Sequence, residues 1–133
     1  MSIPVALTCY TVLQQLKLKT MKDFLFVYRA DQSVVGQRSP EEAQINTQKW
    51  MDWIGGIAAQ NKLADAGNRL FPTGKVVRGN QVVTDGPFTE VKETLGGYSL
   101  IKAGSMEEAV ELSKGCPIYE AGGSLEIREI HAL

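Results

Sequence analysis

Two short segments do most to fix how this chain can fold: Ser39-Pro40-Glu41-Glu42 and Ser105-Met106-Glu107-Glu108. Each places a serine hydroxyl where it can cap the first free amides of a helix, with a glutamate three residues on that can reach back. Pro40 also takes the first helical position, where its missing N–H is not needed. Two helices are therefore expected to start at these points. The first is predicted to run to about Ala66, because Trp50, Trp53, Ile54, Ile57 and Ala64 recur at helical spacing on one stripe and Gly67 supplies a left-handed stop. Gly55 and Gly56 lie inside it and should each cost about 1 kcal/mol relative to alanine. Close approach to a sheet or partner, or a kink, would account for them. The second helix is short and ends at Gly115, ahead of Pro117.

The segments around these helices alternate as strands do. Residues 23–30 (DFLFVYRA) set Phe24, Phe26 and Tyr28 on one side and Leu25, Val27 and Arg29 on the other, the pattern of a central strand covered on both faces. A short strand is expected at 68–71. Residues 75–78 and 81–84 flank Gly79-Asn80, a two-residue link suited to a primed hairpin turn, which delivers Asp85 at its exit. Residues 97–103 (GYSLIKA) form a further strand with Tyr98, Leu100 and Lys102 on one face, and 124–131 (SLEIREIH) form the last. The order gives an α+β chain, ferredoxin-like βαββαβ with an added β-hairpin. Such a sheet carries helices on one face only, so Leu125, Ile127 and part of the aromatic strand need cover from elsewhere. A face-to-face homodimer supplies it.

Composition removes several classes of function. Fourteen lysines and arginines nearly balance fifteen aspartates and glutamates, so no strong field points to nucleic acid or to an anionic membrane surface. The densest basic groups, Lys17/Lys19/Lys22 and Lys75/Arg78, are small and read as solvated charge. Cys9 and Cys116 have neither metal-type nor C-x-x-C spacing and are expected to be reduced thiols of a cytoplasmic protein. The single histidine, His131, leaves no material for a histidine metal site or a serine–histidine–aspartate triad. No metal or cofactor is expected. Residues 1–20 include an apolar run too short to span a bilayer and lacking signal-peptide flanks. They read as an extension ahead of a domain occupying 21–133, with the intact mass of the natural protein as its test.

The most detailed stretch is Asp85-Gly86-Pro87-Phe88, followed by Glu90, Lys92-Glu93 and the strand start Gly96-Gly97-Tyr98. This ordered set resembles the signature of the YCII-related, DGPF-domain family, and the resemblance covers all but the first twenty residues. It implies a dimeric α+β barrel, two ferredoxin-like sheets facing each other with a cleft in or near the barrel. It also implies a small bacterial cytosolic protein without an established common activity, in a setting where association with a sigma factor is suggested. Related YCII proteins have been proposed to act through a histidine and aspartate pair. This chain has no histidine before His131, so that pair does not carry over.

Each candidate residue has a structural role to set against a functional one. Asp85 can accept from following amides as an Asx-turn, and Gly86 eases the restriction on the residue before Pro87. Turn chemistry thus accounts for Asp-Gly-Pro, with a pocket role as an addition. Glu90, Lys92 and Glu93 can form a solvated ion-pair cluster or present a general base and an anion contact to a cleft. Tyr98 can offer its hydroxyl to a ligand, and Arg29, beside apolar strand residues, needs a carboxylate or an anion. The catalytic candidates are Asp85, Glu90, Glu93 and Tyr98; the ligand-binding candidates are Arg29 and Lys92. Three functions compete: a homodimer binding a small molecule, an anion among the candidates, in its cleft; a cofactor-independent isomerase or hydrolase; and a purely structural or interaction dimer. Binding is preferred, and convergence of these side chains on one cleft is the discriminating feature.

Overall fold

The computed structural model describes residues 21–79, 83–86 and 93–132. Strand β1 (Lys22–Ala30) is followed by a single helical turn α1 (Gln32–Val35) and the long helix α2 (Pro40–Ala59). Strands β2 (Leu63–Arg69), β3 (Gly74–Val77) and β4 (Val83–Gly86) lead to β5 (Thr94–Ala103), helix α3 (Met106–Ser113), a 3₁₀ helix (Pro117–Ala121) and β6 (Ser124–Glu129). No described helix is long and apolar enough to cross a membrane.

Both capping serines act as their sequences predict. Ser39 Oγ accepts from the Glu42 amide at 3.1 Å and Ser105 Oγ from the Glu108 amide at 3.1 Å. The second box closes further, with Glu108 Oε2 accepting from the Gly104 amide. That carboxylate also meets Lys62 Nζ at 2.7 Å, whose hydrogen bond is the main cause holding Glu108 below the usual carboxylate range.

Helix α2 ends earlier than its apolar stripe suggests. Asn61 adopts φ 58° and turns the chain, since asparagine tolerates the left-handed conformation better than most residues. Ala64 and Gly67 therefore belong to β2, not to the helix. Gly55 and Gly56 are exposed, and an added Cβ at either would meet nothing within 4 Å. They are not sites of close approach to the sheet.

The main sheet has the order β2-β5-β1-β6 and is antiparallel throughout. Strands β1 and β2 run parallel with β5 inserted between them, as the split-βαβ plan requires. The register assigns the faces, because directly opposed residues share one. Phe24 faces Ile101, Phe26 faces Ser99 and Ile127, and Tyr28 faces Gly97 and Leu125. These residues meet Trp50, Trp53 and Ile57 of α2 and Ala109 of α3 in one apolar cluster. Leu125 and Ile127 thus lie under the helices, correcting the expectation that they need cover from outside.

The opposite face carries Leu25, Val27 and Arg29 of β1, Tyr98, Leu100 and Lys102 of β5, and Glu126 and Arg128 of β6. None of these residues belongs to the apolar cluster that contains the helix residues. The β3–β4 hairpin forms a separate two-stranded sheet in which Val77 pairs with Val83 and Lys75 with Asp85. Its residues are mostly exposed. A hairpin forms here, but pairing of Val77 with Val83 is one residue out of register with a two-residue Gly79-Asn80 link, which would pair Val77 with Val82, and Asp85 sits inside β4 rather than at its exit.

Candidate functional site

A half-open cavity of about 390 Å³ lies between α2 and the end of the sheet where β1 finishes and β5 begins. Three features of the chain create it. Gly67 has φ 74°, and an added Cβ there would lie 1.7 Å from the Tyr98 carbonyl oxygen. Only glycine lets β2 approach β5 so closely while irregular pairing bends it. Gly96 is the extra residue in the register shift opposite Tyr28/Arg29, and Gly97 leaves the space facing Tyr28 free of a side chain. Glycine inside a strand marks such a bend or open space.

The floor of this cavity is a polar chain set in aromatic walls. Tyr28 Oη donates to Ser99 Oγ at 2.8 Å, and Ser99 Oγ donates to the Ala66 carbonyl at 2.7 Å. Burial pushes the Tyr28 phenol well above its ordinary range, with the Ser99 bond only partly offsetting it. It therefore stays protonated at any physiological pH. The Tyr28 and Trp50 rings meet edge to face at 4.8 Å and 80°, and Trp53 joins them at 6.0 Å from Tyr28 and 5.7 Å from Trp50. Such packing fixes ring orientation beyond simple area burial. Trp53 is held further by donating Nε1–H to the Leu112 carbonyl at 3.0 Å.

The rim of the cavity is charged in one sense. Arg38, from the turn before α2, and Arg69, on the helix-covered face of β2 by its pairing with Gly97, both line it. Among the described residues the lining contains no aspartate or glutamate. Neither arginine has an ion-pair partner within 4.0 Å among the described residues. Asn46 and Thr47 add polar groups from α2, the Thr47 hydroxyl donating to the Ala43 carbonyl.

Those residues singled out from sequence that the structure describes fall elsewhere. Asp85 is highly exposed on the hairpin and ion-paired with Lys75. The residue two positions on is Pro87, which has no N–H, so the usual Asx-turn donor is missing. Glu90 and Lys92 lie outside the described residues. Glu93 accepts from Ser124 Oγ at 2.8 Å, beside Arg29 in register. Arg29 finds a glutamate of its own chain, with Nε 4.0 Å from Glu126 Oε1, and Arg128 approaches the other oxygen of that carboxylate at 3.7 Å. Tyr98 Oη accepts from Asn68 Nδ2 at 3.1 Å. Arg29 and Tyr98 thus share the helix-free face, Glu93 joins them through Ser124, and Asp85 stands apart. None of these four lines the cavity.

The sequence reading therefore missed Tyr28, Ser99, Trp50, Arg38 and Arg69 as a group. Gly96-Gly97, inside a strand yet flanked by residues that pair well, was the one readable signal. Cys116 is buried with a free thiol, and burial pushes that thiol up to about 12. Burial thus disfavours the thiolate, the form in which a cysteine reacts. Among the described residues no cluster of three or more histidine, cysteine, aspartate or glutamate side chains could hold a metal ion.

Residues 21–133 match the model of the YCII-related domain. An uncharacterized protein of Rhizobium meliloti (strain 1021) is 34% identical over 84 residues, which is 55% of this chain and 68% of that protein. A match spanning the whole sheet and both capped helices is decisive: the chain belongs to the YCII-related family.

Proposed function

We propose that this protein is a small-molecule-binding protein whose ligand sits in the cavity beneath α2. The observation that carries the reading is the cavity itself. It has about 390 Å³ of space, within the range of ligand pockets, and aromatic walls with a few convergent polar groups. A buried phenol and hydroxyl already satisfied by each other leave the floor preformed. Acid–base catalysis by Asp85 or Glu93 gains no support from their positions, because neither lines the concave site.

Thermal unfolding against a panel of small apolar acids, amides and alcohols tests this directly. A ligand at about 100 times its Kd should add roughly 2.7 kcal/mol of stability, an upward shift of several degrees. Thr47→Trp, which crowds the rim from an exposed helix position, should abolish the shift. A panel that leaves the midpoint unmoved, or a shift that survives Thr47→Trp, would refute the assignment.

The helix-free face favours a second element of the same reading, a homodimer pairing two such faces as a barrel. Leu25, Tyr98 and Leu100 are only half-buried there, and Leu95 is 39% exposed. Apolar surface of that kind on a sheet is ordinarily covered. Sedimentation equilibrium should give a dimer for the natural sequence and a folded monomer for Leu100→Glu. A natural chain that sediments as a monomer at micromolar concentration would rule the barrel out.

A further inference from the structure

Resting on the cavity reading above, we infer that the ligand is a monoanionic apolar acid. Its carboxylate would lie between Arg38 and Arg69 and its aromatic or branched body against Trp50 and Tyr28. The chain is almost neutral overall, with 14 basic and 15 acidic residues. Even so, the described residues of the cavity lining include two guanidinium groups and no carboxylate. Every other arginine placed on the main sheet has a glutamate: Arg29 and Arg128 share Glu126. Arg38 also borders a shallow depression containing Glu42 and Glu120. Glu120, however, is taken by Lys49 at 3.0 Å, and neither glutamate reaches Arg38.

Two cations facing one apolar space repel each other, and an anion placed between them removes that repulsion. Arginine also supplies the planar paired donors that match a carboxylate. The size of the charge follows from the remaining lining. Beyond the arginines its described residues are all neutral, without lysine, histidine or a glycine-rich loop opening a helix. Polyphosphates are therefore poorly matched, and a single negative group on an apolar body is well matched.

The test compares 1-naphthylacetate with the neutral 1-naphthylacetamide by isothermal titration calorimetry on the full chain. The acid should bind about tenfold more tightly than the amide, as one charge-assisted contact implies. Arg38→Gln and Arg69→Gln keep the side-chain stem and should each weaken acid binding about tenfold, and amide binding by much less. Arg128→Gln, on the opposite face, should change neither, and circular dichroism should show all three variants folded. Equal affinity for acid and amide, or an unchanged acid affinity in both arginine variants, overturns the acid assignment while leaving the cavity reading intact. Failure of both probes, together with an inert panel of alcohols and amides, overturns both.

Discussion

Replacing Gly67 with alanine is expected to remove about 2–5 kcal/mol of stability, a large share of what a domain of this size has. Two effects add. The backbone at Gly67 has φ 74°, a conformation that costs an L-residue about 1–2 kcal/mol. The new Cβ would also lie 1.7 Å from the Tyr98 carbonyl oxygen, 2.6 Å from its carbonyl carbon and 3.1 Å from Ser99 Cα. These are backbone atoms of an inner strand, so no rotamer change can relieve the contact. Strand β2 would have to leave the sheet, opening one wall of the cavity. Gly55→Ala is the informative partner variant, since its Cβ meets nothing within 4 Å. In a helix interior that change should stabilise by about 0.5–1 kcal/mol. Urea denaturation of both reads the difference in sign. A Gly67→Ala midpoint equal to that of the natural sequence would contradict the β2 geometry.

Phe26→Ala should cost about 3–5 kcal/mol. Phe26 is fully buried at 0% exposure at the middle of β1, and its ring stacks on Trp53 at 6.4 Å with planes 20° apart. Its register neighbours Ser99 and Ile127 are fixed by the two flanking strands, so the surroundings cannot collapse into the vacated space. The cost should therefore fall in the upper part of the range. Phe26→Leu, which keeps most of the volume, should cost less than about 1.5 kcal/mol. The near-ultraviolet circular dichroism of the tryptophans should weaken in the alanine variant as Trp53 loses its stacking partner. A loss below about 1 kcal/mol would mean that the core lies elsewhere.

Why these two positions differ in how readily sequence reveals them is instructive. Phe24, Phe26 and Tyr28 alternate in a segment of strand-forming residues, so their common burial follows from the period of two. Ser39 and Ser105 were equally plain, because a cap is a local hydrogen bond between residues three apart. Strand β2 was hidden. Its sequence, LADAGNR, contains no β-branched or aromatic residue, and its alanines continue the helical stripe of α2. It is a strand because the edge of β5 pairs with it and because Asn61 breaks the helix, both tertiary or single-residue effects that outweigh propensity.

The site was hidden for a related reason. Of the charged residues between Asp85 and Tyr98, the two that the structure describes, Asp85 and Glu93, do not line the cavity. Asp85 pairs with Lys75 across the hairpin, and Glu93 and Tyr98 bond to Ser124 and Asn68. What that stretch contributes to the cavity is space, through Gly96 and Gly97. The cations come from separate elements, Arg38 ahead of α2 and Arg69 at the end of β2, and only the folded sheet brings them to one rim. Residue type betrays charged chemistry readily; the absence of a side chain, and the convergence of distant arginines, do not.

Ligand is expected to bind between α2 and the sheet rather than at the hairpin or on the helix-free face. The decisive experiment is a residue-resolved nitrogen–proton NMR titration of the full chain with 1-naphthylacetate. Saturable shifts are expected at the Trp50 indole N–H and at the amides of Gly67, Gly96 and Gly97, with Asp85, Arg29 and Lys102 unmoved. Shifts confined to Asp85, Arg29 or Lys102, with the Trp50 indole unmoved, would contradict it.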